Sequence, residues 1–358
     1  MNLTSYLLTI LMLSFVSSNI LSQNKIERTD KRVKELISKM TLEEKIGQMT
    51  QVTLQAVSKK QGTKDQHHEI DDAKLEEAIL KYHVGSILNV YDVAHEVEYW
   101  HEVITKIQNI AQKTRLKIPV IYGIDAIHGA TYTKGSTLFP QALAVASTWN
   151  KEVAKTIGEI TSAETRASGI PWNFYPVMDI GRQPLWPRLW ETFGEDVYLA
   201  SQLGTSYIKG AQGNDISRAD KLATCLKHYV GYSFPINGLD RTPAWISERM
   251  MREYFLPSFE AGILAGAPTI MVNSAEVDGI PGHANYHLLT EVLRNELKFK
   301  GFVVSDWEDI KRLYTRDKVA SSPKEAVRMA VMAGVDMSMV PYDFSFYELL
   351  LELVNEGK

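Results

Sequence analysis

Short, β-branched apolar runs recur along this chain, separated by longer segments that carry apolar residues at helical spacing. The clearest run is Gly301-Phe302-Val303-Val304-Ser305-Asp306-Trp307. It is too short and too apolar for a surface helix and Gly301 punctuates its start, so it predicts a buried strand. Comparable runs predict strands at about 48–53, 84–90, 118–124, 173–179, 222–229, 268–274, 302–306 and 335–340. Eight strands alternating with helical segments imply parallel βα units. The predicted fold class is therefore α/β, a (β/α)8 TIM-like barrel. An open doubly wound sheet also alternates, but no Gly-x-Gly-x-x-Gly follows the first strand. Upstream, Thr41-Leu42-Glu43-Glu44 reads as a capping box that opens a helix directly after a first helical stretch from Asp30. At the other end, Asp343 to Gly357 predicts the helix that follows the eighth strand.

The first residues are a different material. Tyr6 to Val16 is almost wholly apolar, Ser17, Ser18 and Asn19 follow, and the first lysine is Lys25. The pattern predicts a signal peptide over residues 1–22 and a secreted or periplasmic mature protein. An apolar stretch of about 11 residues falls short of the roughly 20 that a membrane-spanning helix needs. Cys225 is the sole cysteine, so no intrachain disulfide is expected and the core must carry stability.

Composition narrows the function classes. Hydrophobic residues make up 45% and charged residues 23%, ordinary proportions for a globular domain. The net charge of −4, with no basic run, argues against a nucleic-acid partner. Two long polar connections stand out. Ser58 to Asp72, with His67-His68, predicts a solvated loop, and Gly231 to Ser247 is long enough to be functional.

The chemistry-bearing residues fall at predicted strand ends. Asp125 lies just beyond Val120–Ile124, Lys227 and His228 end the fifth strand, and Asp306 and Trp307 end the seventh. Asp179 and Arg188 flank the Pro- and Trp-rich loop from Arg182 to Trp190. Taken alone, Asp306 could simply cap the next helix. Several strand ends carrying polar groups to one mouth favour a catalytic site. The set suits a sugar: carboxylates accept from vicinal hydroxyls, Lys, Arg and His donate, and an indole such as Trp307 covers the C–H face. Glycoside cleavage by the common retaining route needs a nucleophilic and an acid/base carboxyl about 5–5.5 Å apart. Asp306 is the natural nucleophile beside Lys227 and Arg188, whose charges favour its ionised form. Glu191, Glu195 and Asp196 read as braces of the Arg188 loop, and Glu276 as the one barrel carboxyl near a strand end that could stand in as acid. A class I aldolase using Lys227 as a Schiff-base lysine is a different reading of the same barrel.

Several segments resemble glycoside hydrolase family 3, in the branch of secreted β-glucosidases. They are Met40 to Met49, Tyr122-Gly123-Ile124-Asp125-Ala126-Ile127-His128-Gly129, Phe139-Pro140-Gln141, Trp186-Pro187-Arg188 with Glu191 to Asp196, Lys227-His228-Tyr229, and Gly301 to Trp307. By that resemblance Asp306 is the catalytic nucleophile, and Asp125, Arg188, Lys227 and His228 bind the sugar next to the scissile bond. The resemblance implies a β-glucosidase-type hydrolase acting on β-glucosides or oligosaccharides from the non-reducing end. No metal and no organic cofactor is expected. Where some relatives place a tyrosine after Met-Val/Ile-Ser, this chain has Ser274, so a tyrosine hydrogen bond to the nucleophile is not carried over. Typical members supply the acid/base Glu from a second α/β domain. Residues 23–358 are accordingly expected to be the barrel domain of a split or clipped enzyme, partnered by a separated C-terminal domain or binding sugars without efficient hydrolysis.

Overall fold

The computed structural model describes residues 29–90 and 93–358; the predicted leader, residues 1–22, lies outside them. The chain divides into two units, residues 1–45 and 46–358. In the first, residues 29–39 are helical and the capping box is made reciprocally. The Thr41 N–H donates to Glu44 Oε2 at 2.9 Å, and the Glu44 N–H donates to Thr41 Oγ1 at 3.2 Å.

The second unit contains eight parallel strands: β1 (Thr50–Thr53), β2 (Ser86–Leu88), β3 (Ile121–Ile124), β4 (Trp172–Asn173), β5 (Ala223–Tyr229), β6 (Thr269–Val272), β7 (Phe302–Val304) and β8 (Ser338–Met339). Every one overlaps a strand expected from the apolar runs. Hydrogen-bonded order runs β7-β6-β5-β4-β3-β2-β1-β8. A parallel bridge between Val304 and Met337 joins the two ends, so the sheet curls into a (β/α)8 barrel. The helix expected at the end of the chain spans Ser345–Asn355.

Inward side chains fill the barrel. Leu88, Trp172, Phe174, Cys225, Met271, Val304, Met337 and Met339 form one buried cluster, and Trp172 Nε1 donates to Thr269 Oγ1 at 2.9 Å. Val303 and Val304 have no exposure, each contributing roughly 1.5–3 kcal/mol of burial. Gly301 explains how β7 seats itself: a Cβ there would lie 1.9 Å from the Pro268 carbonyl oxygen at the entrance to β6. Any side chain would push the two strands apart, and with them everything at their far ends.

The polar segment from Ser58 to Asp72 departs from the expected solvated loop. Ser58–Lys60 pairs with Glu69–Ile70, and His68 is 3% exposed. Helix Val97–Ala111 supplies the cover: the Tyr99 hydroxyl donates to the His68 carbonyl at 2.9 Å, and the Tyr99 ring stacks on His67. Two short polar strands closed over aromatic rings bury an imidazole that polarity alone places in water.

Candidate active site

Strand ends set the site. β3 ends at Ile124, which delivers Asp125 to the mouth, where its Oδ1 lies 2.6 Å from Lys227 Nζ on β5. The other oxygen, Oδ2, accepts from Asn89 Nδ2 at 2.8 Å, and the Asp125 N–H donates back to Asn89 Oδ1 at 3.0 Å. Asn89 stands just past β2, so groups from β2, β3 and β5 fix one carboxylate. Lys227 is 5% exposed at its side chain and Asp125 is 30% exposed, leaving the carboxylate partly open at the mouth.

Next along the rim is Arg188, held by the short 3-10 turn Leu189–Glu191. Its Nε and one terminal nitrogen each lie 2.7 Å from a Glu191 oxygen, a bidentate pair that fixes the plane of the guanidinium. The same terminal nitrogen donates to His228 Nε2 at 3.2 Å, while His228 Nδ1 lies 2.8 Å from Asp179 Oδ2. An arginine nitrogen can only donate, so His228 Nε2 is an acceptor and the imidazole is neutral with its proton on Nδ1. Burial, then the charges of Arg188, Lys227 and Arg241, push its pKa well below 6.5. Asp179, buried beneath, is pushed up to about 7 by that burial, although His228, Arg188 and Lys227 oppose the shift. Its Oδ1 has no partner. His228 thus orients Arg188 through its Nε2 lone pair.

Asp306 follows β7 and is 7% exposed. Its Oδ1 accepts the Trp307 N–H at 2.5 Å and its Oδ2 accepts the Ser274 hydroxyl at 2.5 Å. Its own N–H donates to His283 Nε2 at 3.1 Å, so that ring too is an acceptor there. Burial alone would raise the Asp306 pKa. Arg241, the Ser274 hydrogen bond, Arg188 and the Trp307 N–H outweigh it and hold the pKa below its ordinary value. Trp307 is half-buried, packs against the barrel cluster and meets Tyr342 edge-on at 5.5 Å. Of the other tryptophans, Trp186 is buried against Tyr232 and bonded to Asp240, so it forms wall; Trp190 is 42% exposed.

Asp125, Lys227, Arg188 and His228 thus form two bonded groups along β3 to β5, and the Arg188 charge reaches Asp306. Sequence reasoning missed Asn89, Arg241, His283 and Asp309, and marked Ser274 without its bond to Asp306. Arg241 comes from the Gly231–Ser247 connection, whose length was the signal; Tyr232 and Asp240 from the same loop bond each other at 2.6 Å. Ser274 replaces an expected tyrosine, yet supplies the hydrogen bond to Asp306 itself. Glu276, weighed as an acid, lies half-buried in a short hairpin with Ile280–Pro281.

Barrel and mouth together define the class: a (β/α)8 protein with an enzyme-type site at the C-terminal ends of its strands. The chain belongs to glycosyl hydrolase family 3, residues 41–358 matching the family's N-terminal domain. It is 46% identical over 349 residues to a lysosomal beta glucosidase of Dictyostelium discoideum, covering 93% of this chain and 42% of that protein. It is 32% identical to a periplasmic beta-glucosidase of Salmonella typhimurium, covering 93% of this chain and 40% of the other. Among solved structures, a beta-glucosidase from Listeria innocua superposes with a TM-score of 0.79 at 31% identity, covering 91% of this chain and 44% of that one. The chain spans less than half the length of the curated relatives it matches.

Proposed function

We propose that this barrel is the nucleophile-bearing part of a retaining glycoside hydrolase that removes β-linked, glucose-like residues from the non-reducing ends of β-glucosides or oligosaccharides. The observation that carries the reading is Asp306: a carboxylate buried at the end of β7, held ionised by donors and by arginines. In the first step an Asp306 oxygen attacks the anomeric carbon as the aglycone leaves. A covalent glycosyl ester forms, and water then releases it with the configuration restored. The Trp307 N–H and the Ser274 hydroxyl aim the carboxylate. Asp125 and Lys227 present an acceptor and a donor to neighbouring hydroxyls, Arg188 presents its remaining N–H, and Trp307 offers a face to the C–H side of the ring.

The proton donor to the aglycone is a separate question. Asp125 is paired with Lys227, Glu191 with Arg188, and Asp240 with Arg241, while Asp179 and Asp309 are buried. As the family resemblance implies, we assign the acid/base to a glutamate of a second domain outside the barrel. Without it the barrel binds sugars and turns over activated substrates only, since general acid catalysis is worth about 10²–10⁴-fold. Lys227 spends its ammonium on Asp125, which disfavours the Schiff-base alternative. Export through the residue 1–22 leader fits the lysosomal and periplasmic relatives.

A 2-deoxy-2-fluoro β-glucoside with a dinitrophenolate leaving group tests the assignment, because its departure needs no proton. Peptide mapping is expected to find the sugar on Asp306; a label on another residue overturns it.

A further inference from the structure

One hydroxyl stands between two carboxylates beside β6 and β7. Ser274 Oγ is 2.5 Å from Asp306 Oδ2 and in close hydrogen-bond contact with Asp309 Oδ2. A serine carries one hydroxyl proton. If it donates to Asp306, it must accept from Asp309, and an ionised Asp309 has nothing to give. Two short contacts at one hydroxyl therefore require a second proton, held on one of the carboxyls. Asp306 already takes the Trp307 N–H on its other oxygen and feels Arg241 and Arg188. Asp309 has no exposed surface, and its other oxygen accepts from Arg312 at 2.9 Å and Arg316 at 3.4 Å, leaving Oδ2 for the proton.

We propose that Asp309 holds a proton on Oδ2 and donates it to Ser274, which in turn donates to Asp306, so that Asp309 is a positioning residue and proton store for the nucleophile. The chain runs Asp309 to Ser274 to Asp306, each link a single donated hydrogen. Charged and titratable neighbours come from every side. Arg312 and Arg316 share the helix Asp309–Thr315 and its end, with Asp317 paired to Arg316; Asp306 lies at the end of β7, neutral His283 beyond β6, and Arg241 in the loop after β5. Burial first, then the charge of Asp306, push the Asp309 pKa up to about 7, against the Ser274 bond and the two arginines.

The second of those causes gives the proposal its consequence, which rests on Asp306 being the nucleophile. When Asp306 becomes a glycosyl ester, its negative charge disappears and Asp309 becomes a stronger acid. The anomeric carbon gains the bond to Asp306, the aglycone departs with its electron pair, and the Asp309 proton passes to solvent. Hydrolysis of the ester regenerates the Asp306 carboxylate, and Asp309 takes a proton back. The nucleophile's charge is thus balanced by a proton 3 residues along the same turn.

Three readouts test this on the full chain. In protein labelled with ¹³C at aspartate side-chain carboxyls, two resonances, those of Asp309 and Asp179, are expected to titrate near pH 7; the one that vanishes in Asp309→Asn is expected to move down by about one unit or more in Asp306→Asn. An Asp309 carboxyl already ionised at pH 5, or one unmoved in Asp306→Asn, overturns the proposal. In weakly buffered solution near pH 6.5, labelling by the dinitrophenyl 2-fluoro glucoside is expected to release a fraction of a proton per label, although the dinitrophenolate itself takes up none. Asp309→Asn, fixed neutral, is expected to label without that release; equal release from both proteins overturns the store. Ser274→Ala is expected to slow labelling about tenfold, with Ser274→Thr restoring it, since threonine keeps the hydroxyl; no slowing in Ser274→Ala overturns the relay. A label on another residue sinks the nucleophile reading alone, whereas the carboxyl titration judges Asp309 whichever residue is labelled.

Discussion

The two sides of the mouth handle charge in opposite ways. Along β3 to β5, carboxylates and cations meet directly: Asp125 with Lys227 at 2.6 Å and Glu191 with Arg188 at 2.7 Å. Beside β6 and β7, Asp306 is held by a hydroxyl and a backbone N–H, with Arg241 and Arg188 acting through space. A carboxylate in a tight ion pair is stiff and poorly nucleophilic, which suits a group that recognises hydroxyls. One kept ionised by more distant charge retains a lone pair to give. On the proposed function, the contrast separates the groups assigned to hold a sugar from the group assigned to attack it.

Three changes probe that contrast, from the largest effect down. Asp306→Gly is expected to reduce phenolate release from an activated aryl β-glucoside by at least ~10³-fold, read by absorbance. Retained turnover would mean that attack comes from the other side of the mouth. Lys227→Ala removes the cation from Asp125 and leaves Asn89 as its side-chain partner. Because Asp125 is 30% exposed, the expected loss in unfolding free energy is about 2–3 kcal/mol, below that of a fully buried pair. Urea midpoints measure it, and a loss under ~0.5 kcal/mol would reduce the pair to a surface contact. The smallest effect concerns pH. Asp309 and Asp179 are raised from 3.8 to about 7, chiefly by burial, so between those values the folded protein holds protons that the unfolded chain has lost. Their contribution is complete below about pH 4 and is lost as pH rises through about 7, with a slope of up to ~1.4 kcal/mol per pH unit for each proton. Asp309→Asn is expected to flatten that slope by one share, seen in urea midpoints at pH 5 and pH 7; an unchanged slope would place the proton elsewhere.

The fold was legible because each barrel strand is a local signal: a β-branched run, such as Phe302 to Val304, between helical stretches. The residues that terminate those runs, Asp125, Lys227, His228 and Asp306, could be marked for the same reason. Their supports could not. Asn89 meets Asp125 across 36 positions and Ser274 meets Asp309 across 35, separations that the pairing of adjacent strands bridges. Asp309, three residues past Asp306, reads from sequence as an ordinary acid in the first turn of a helix, and Ser274 as a loss beside the expected tyrosine. The two make sense only as a pair. His68 failed for a related reason, since its polar loop gave no sign of the aromatic cover that Tyr99 supplies from the following helix.

The lone pair that His228 gives to Arg188 has one further outcome. With Nδ1 turned toward Asp179 and Nε2 facing an arginine, adding a second proton to the ring would set two donors against each other. The imidazole is therefore no sensor of acidity, and Arg188 keeps the acceptor that orients it when the surroundings turn mildly acidic.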